Sequence, residues 1–305
     1  MRIGLMFGGA DMSLDGAAAQ ARRAKDLGLS TFWLPHIFGH DAIATAAVVA
    51  REVDGIEYGT AVVPTYPRHP VALAQQVLTA SAASDGRFTL GIGLSHRVVI
   101  EDLLGLDYSK PASHMREYLE VLVPLLRGEA AKHQGEHYRV NIQLDVPGAK
   151  PVPLLVAALG PVMLRLAGRM ADGTITWMTG AATLASHIVP KIGKAAAEAG
   201  RPAPRVVAGL PCVLTADVDA ARAKLDKAFA MYNTLPSYRA MLDREKPGAS
   251  PADISLIGDE AALRQQLQRL RDAGVTDLDA NLAPVEEGSL ERTCEFLADE
   301  AKGAA

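Results

Sequence analysis

Three stretches of this chain gather side chains that could move protons beside strand ends. Pro35-His36-Ile37 follows an apolar run at Thr31–Leu34, and Pro64-Thr65-Tyr66-Pro67-Arg68-His69-Pro70 follows a strand pattern at Glu57–Val62. Gly93-Leu94-Ser95-His96-Arg97 follows Phe88–Ile92. Histidine titrates near neutrality, so His36 and His96 are candidates to hydrogen-bond a substrate or carry its proton. The plainer reading of each is a hydrogen bond inside its own loop. Arg68-His69-Pro70 reads as structural, an arginine tying the loop to the body of the fold. Trp177 and Met178, at the end of another strand, could line a pocket for a planar ring or belong to the core. His36 and His40, like His133 and His137, stand four apart, but no carboxylate completes a set and no metal is expected. Arg97 and Lys110 could meet an acidic tail at the mouth, with solvated surface charge as the simpler account.

Pro153–Trp177, PLLVAALGPVMLRLAGRMADGTITW, offers a different chemistry. Leu154–Ala157 is an apolar strand, and Gly160-Pro161 opens a helix, with proline where a first-turn N–H has no partner. The amides of Val162, Met163 and Leu164 are expected to face the strand end, where donors and helix dipole together favour an anion. A plain β-α-β crossover is the alternative.

These residues matter only if the strands bring them to one rim. Strand patterns occur at Arg2–Phe7, Thr31–Leu34, Glu57–Val62, Phe88–Ile92, Leu154–Ala157, Gly173–Trp177, Arg205–Leu214 and Asp277–Leu282. Helical patterns alternate with them at Ala17–Leu27, Asp41–Val53, Pro70–Ser81, Met115–Leu126, Pro161–Met170, Thr183–Ala199, Asp219–Met231, Asp259–Ala273 and Ser289–Ala301. The alternation predicts an α/β protein with a parallel sheet closed into a (β/α)8 TIM barrel, whose active site sits at the C-terminal strand ends. An open doubly wound sheet is the alternative, weakened by the lack of G-x-G-x-x-G after the first strand. One domain spanning 1–305 is expected, with insertions at about 128–150 and 232–254 shaping the barrel mouth. The first should hold a small hairpin and the second a short helix around Tyr238–Arg244.

With 305 residues, 49% of them hydrophobic, the chain can fill such a core, and a net charge of -4 argues against nucleic acid or an anionic membrane as partner. No signal-peptide pattern and no membrane-length apolar run is visible, and Cys212 and Cys294 form no redox or metal motif. A cytoplasmic protein acting on a small molecule is the expectation.

Three motifs in order, GTAVVPTYPRHPVALAQQ at Gly59–Gln76, SDGRFTLGIG at Ser84–Gly93 and AALGPVMLRLAGRMADG at Ala157–Gly173, resemble the bacterial luciferase-like flavin-dependent oxidoreductases, in particular their deazaflavin-dependent branch. The resemblance covers essentially the whole barrel. It implies a barrel holding coenzyme F-420, a 5-deazaflavin, or alternatively FMN, across the strand ends. The turn at Gly160, Pro161, Val162 and Met163, with Ala158 and Leu159 before it, would bind the cofactor phosphate. Gly93, Ser95 and Trp177 would stand against the ring, and a non-proline cis peptide at Val62-Val63 would support its back face. His36 lies where related sugar-phosphate dehydrogenases place an active-site histidine. Those relatives carry an acid shortly after the strand-four Gly-x-Gly, where this chain has Leu94, Ser95 and His96; the departure argues against sugar-phosphate chemistry. The implied activity is hydride transfer to a small, weakly charged carbonyl, imine or alkene, with His36 or His96 handling the proton. An FMN-dependent monooxygenase and a non-catalytic cofactor-binding protein are the alternatives. A homodimer is expected from the same resemblance.

Overall fold

The computed structural model describes residues 1–9 and 11–303. Among these, eight parallel strands close into a ring: β1 (Arg2–Met6), β2 (Thr31–Leu34), β3 (Glu57–Thr60), β4 (Phe88–Gly93), β5 (Leu154–Val156), β6 (Gly173–Trp177), β7 (Arg205–Leu214) and β8 (Asp277–Leu282). Each pairs with its successor, and β8 returns to β1 with Asp279 opposite Gly4. The helices α1 (Leu14–Asp26), α2 (Ala42–Glu52), α3 (Pro70–Ala83), α4 (Pro111–Leu126), α5 (Pro161–Met170), α6 (Val189–Glu198) and α7 (Val218–Ala228) follow the first seven strands in turn. After α7 come α8 (Pro236–Glu245) and α9 (Glu260–Asp272), and α10 (Ser289–Lys302) follows β8. The expected (β/α)8 barrel is what the chain forms. Helix starts are written in the sequence: Ser13, Asp41, Asp217 and Asp259 each accept a first-turn amide.

Several expectations need correction. β3 ends at Thr60, two residues early, because Ala61 and Val62 bulge out of the ladder and pairing resumes at Val63–Pro64 against Ile92 and Gly93. The cis peptide is Ala61-Val62, one bond before the expected Val62-Val63. A short strand, Leu256–Gly258, escaped the sequence reading; it lies beside Cys212–Leu214 at the top of β7. Three residues are too few to show a period. In the first insertion Ala131–Gln134 and Arg139–Ile142 do form a hairpin. In the second, α8 covers the expected Tyr238–Arg244, and the turn at Pro251–Ile254 follows it.

The barrel interior is layered. At its N-terminal end Arg2, Glu57, Arg205 and Asp277 alternate in sign around one ring. Arg2 pairs with Glu57 and, at 3.6 Å, with Asp277, while Arg205 reaches Glu57 at 2.8 Å and Asp277 at 2.7 Å. Above it the indole of Trp33, fully buried, lies across the interior against Leu155, Ile175 and Val207. Glycines make the room: a Cβ on Gly59 would sit 2.2 Å from the indole, and one on Gly4 would sit 2.7 Å from its nitrogen. Asp279, flanked by Gly4 and Gly209, is also buried here with both carboxylate oxygens unpartnered, and burial drives its pKa far up. It is therefore a neutral acid inside the barrel.

The packing gives a direct test. Gly59→Ala forces a methyl group into the indole and is expected to cost about 1–3 kcal/mol of stability. Trp33→Phe in the same chain should recover part of that loss, because the two sites share one space. Urea unfolding of the two single variants and the double variant checks this; strictly additive losses would contradict the packing described.

Candidate active site

His36 follows β2, held by one backbone amide and standing beside the Arg68 guanidinium. Its Nδ1 lies 3.2 Å from the Ala42 N–H, the first amide of α2, and its Nε2 is 3.4 Å from an Arg68 nitrogen. Both neighbours are donors and a neutral imidazole has one lone pair, so the shorter contact makes Nδ1 the acceptor; Nε2 then carries the proton and faces the Arg68 guanidinium without a hydrogen bond. Arg68 also ion-pairs with Asp41, the residue capping α2. Its backbone carbonyl accepts from the Tyr118 hydroxyl at 3.1 Å, and His69 caps α3. The tying role expected of Arg68-His69-Pro70 is thus visible, with His36 inside the tie. Burial and then the Arg68 charge lower the His36 pKa, and Asp41 pulls the other way.

The rim beyond β3 and β4 is shaped by the bulge. Val62 turns toward the interior cluster around Trp33, whereas Val63 is fully buried toward the helices. A Cβ on Gly91 would meet the Thr60 carbonyl at 2.1 Å, and one on Gly93 would meet a Val62 methyl at 2.8 Å. The Gly-x-Gly of β4 therefore admits the bulge, and Gly93 sits directly under Val62. Ser95 adopts a left-handed φ of 61°, turning the chain so that His96 comes against Tyr238 of α8 at 5.5 Å between ring centroids. No hydrogen-bond partner holds the His96 ring among the described residues; burial lowers its pKa.

Just past β5 the alternation of sides places Ala158, expected beside the cofactor phosphate, away from it. Ala157 faces the interior, while Ala158 is fully buried in the outer core. Leu159 presents its carbonyl to His187, 2.8 Å away. Gly160 then caps α5 with no side-chain bond, and a Cβ there would meet nothing within 4 Å. Leu164 N–H is already bonded to the Gly160 carbonyl at 3.0 Å, which corrects the expected trio of amides. Val162 and Met163 remain, since Pro161 has none; Val162 is 49% exposed. The open turn lies at the end of β5, next to Trp177 at the end of β6.

Trp177 begins an aromatic wall that the sequence did not reveal. Phe229 and Tyr232 pack edge-on to it at 5.8 and 6.1 Å, Tyr238 packs on Tyr232 at 4.9 Å, and His96 closes the series. Met178 is instead fully buried in the core. The second insertion thus supplies Tyr232 and Tyr238 to a wall joining the ends of β4 and β6. Spacing could not show this, because the contacts join segments far apart in the chain, His96 to Tyr238 among them.

A second aromatic group stands beside it. Tyr66 stacks on His114 with centroids 4.0 Å apart, and His114 contacts the hydroxyls of Thr65 at 3.0 Å and Tyr138 at 3.3 Å. Glu117, buried below, accepts the amides of Glu136, His137 and Tyr138 and so fastens the hairpin. Burial, and next the nearby His137, hold His114 neutral, its pKa brought down from 6.5 to about 4.

With this geometry, comparison with known proteins places the chain. It belongs to the luciferase-like monooxygenase family, which it matches over residues 1–278. It is 31% identical over 179 residues to a 5,10-methylenetetrahydromethanopterin reductase of Archaeoglobus fulgidus, covering 57% of this chain and 52% of that protein. It is 29% identical over 229 residues to an F420-dependent glucose-6-phosphate dehydrogenase of Nakamurella multipartita, covering 72% and 65%. The aligned part thus spans between half and two-thirds of these two relatives. The structure of the coenzyme F420 dependent tetrahydromethanopterin reductase of Methanopyrus kandleri superposes with a TM-score of 0.83 at 21% identity, covering 99% of each chain. The family is named for monooxygenases, and these relatives are named as a reductase and a dehydrogenase. No helix among the described residues is long and apolar enough to cross a membrane.

Two measurements follow from the site's charges. Arg68→Met should raise the pKa of His36, and Asp41→Asn, which keeps the helix cap, should lower it further, both read from the imidazole proton shifts by NMR. A His36 that titrates identically in both variants would refute the coupling. His114 is neutral in the fold and protonated more readily when unfolded, so its share of stability is complete above pH 6.5. That share falls by about 1.4 kcal/mol per pH unit on acidification toward the folded-state pKa. His114→Gln should flatten this part of the profile between pH 7 and pH 5 in denaturant titrations.

Proposed function

We propose that this chain is a coenzyme F-420-dependent oxidoreductase, exchanging a hydride between the deazaflavin and a small, weakly charged organic substrate. The observation that carries the reading is the open N-terminus of α5 beside the aromatic wall. A free pair of amides with the helix dipole behind them suits the phosphate of such a cofactor. The apolar surfaces of Val62 and Trp177, on the same rim, suit the faces of a flat ring. The names of the relatives, among them an F420-dependent dehydrogenase, support the deazaflavin over FMN.

The cofactor, when bound, supplies the hydride chemistry that no side chain can perform. The chain's own residues bind, orient and handle the proton. Val162 and Met163 amides would anchor the phosphate. The Val62 bulge, resting on Gly93, would set the height of the ring above the filled barrel interior. The wall from His96 to Trp177 would exclude water from one side, which strengthens any polar contact within. His36, neutral with its Nε2 proton directed away from the Ala42 tie, can donate a hydrogen bond to a substrate oxygen or nitrogen. His96, neutral and unheld, can accept or return the proton that accompanies the hydride.

Fluorescence titration of the purified protein with coenzyme F-420 and with FMN tests this. Tight binding of the deazaflavin, with FMN at least about tenfold weaker, supports the proposal; preference for FMN points to an oxygen-using relative, and binding of neither refutes the site. Val162→Asp refines it. A carboxylate in the first turn stabilises a helix but repels a phosphate, so the variant should keep its thermal midpoint and lose at least about tenfold in cofactor affinity, an effect equivalent to about 1.4 kcal/mol.

A further inference from the structure

A further cavity lies on the side of the barrel away from the α5 turn. It measures about 820 Å3 and opens between the ends of β1 and β8 and the helices α1, α7 and α10. That is a size at which small-molecule sites occur. Its walls are mainly apolar, with Leu225, Phe229, Leu282 and Val285 among them. Phe229 is shared: one side bounds this cavity, and its ring packs 5.8 Å from Trp177 in the aromatic wall. Phe229 thus stands between this cavity and the aromatic wall.

The polar groups on its rim are unequal. Arg23 faces Glu291 at 3.9 Å, so those charges offset one another. Lys224 has no carboxylate within salt-bridge distance among the described residues; its ammonium donates only to the Val285 carbonyl. One uncompensated cation thus stands at the edge of an apolar space, in a chain whose net charge is -4. At the floor the Asn281 amide donates to the Met6 sulfur at 3.2 Å, a weak acceptor easily exchanged for a ligand oxygen.

We infer that this cavity binds an amphipathic monocarboxylate, its carboxylate on Lys224 and its apolar body along Phe229 toward Trp177. As a binding site it stands on the cavity alone.

Displacement of dansyl-labelled undecanoate, followed by fluorescence, tests the inference. Dodecanoate should displace the probe at least about tenfold more tightly than dodecanol, as expected for one charge-assisted contact. Lys224→Met should erase that difference while leaving dodecanol unchanged. Ala228→Trp, at an exposed position of α7 on the cavity wall, should weaken both ligands, with circular dichroism confirming the fold. Absence of probe binding, equal affinity for acid and alcohol, or a preference that survives Lys224→Met would each overturn the inference. Coenzyme F-420 titration of the same variants keeps the two proposals separable. Unchanged cofactor affinity with lost carboxylate preference supports the cavity assignment, whereas a protein that binds dodecanoate selectively but no deazaflavin refutes only the cofactor reading.

Discussion

The constraint on which this barrel depends is the filling of its interior by one indole. Trp33 reaches across the ring from β2, and the strands around it surrender their side chains to admit it, at Gly4 and Gly59. The interior below is closed by four alternating charges contributed by β1, β3, β7 and β8. Ligand space is thereby confined to the C-terminal rim. What binds there rests on a floor made of Trp33, Val62, Ala157 and Leu155, and interiors packed this closely transmit little give.

From that floor the site is assembled in sectors, each with its own support. The sector after β2 is polar: His36 is held by an orphan amide of α2, beside an arginine that itself answers to the helix cap. The sector between β3 and β4 is steric, because the bulge at Ala61 and Val62 can approach only where β4 has glycine. The sector after β5 is electrostatic and open. The sector after β6 is aromatic and is completed by α8, an element outside the β-α alternation. Two histidines whose burial lowers their pKa, one held by a backbone amide and one without a hydrogen-bond partner among the described residues, frame this space. Its weak charge is consistent with a weakly charged reacting group.

Much of the barrel was legible in the sequence. All eight ring strands lie where apolar runs and turn residues placed them, and the starts of α2, α3 and α5 follow from Asp41, Pro70 and Pro161. The reason is local: strand and helix periods, caps and proline act over a few residues. The cis peptide displaced by one bond, the truncated β3 and the short strand at Leu256 show the limit. Each depends on which neighbour a backbone meets: Gly91 is glycine because the Thr60 carbonyl presses on it, and Gly93 because Val62 does, neither of which the sequence shows.

By itself the sequence determined the ring of strands, the motifs that carry the family, and the residue types available at each strand end. The tertiary structure decided which of those residues face one another. It turned Ala158 and Met178 into core and brought Ala157 inward instead. It also joined Tyr238 to His96 and Phe229 to Trp177, and left Lys224 without an opposing charge among the described residues. Periodicity fixes the side of an element on which a residue lies, but burial, pKa and pairing are properties of the space between elements. That space exists only once the barrel has closed.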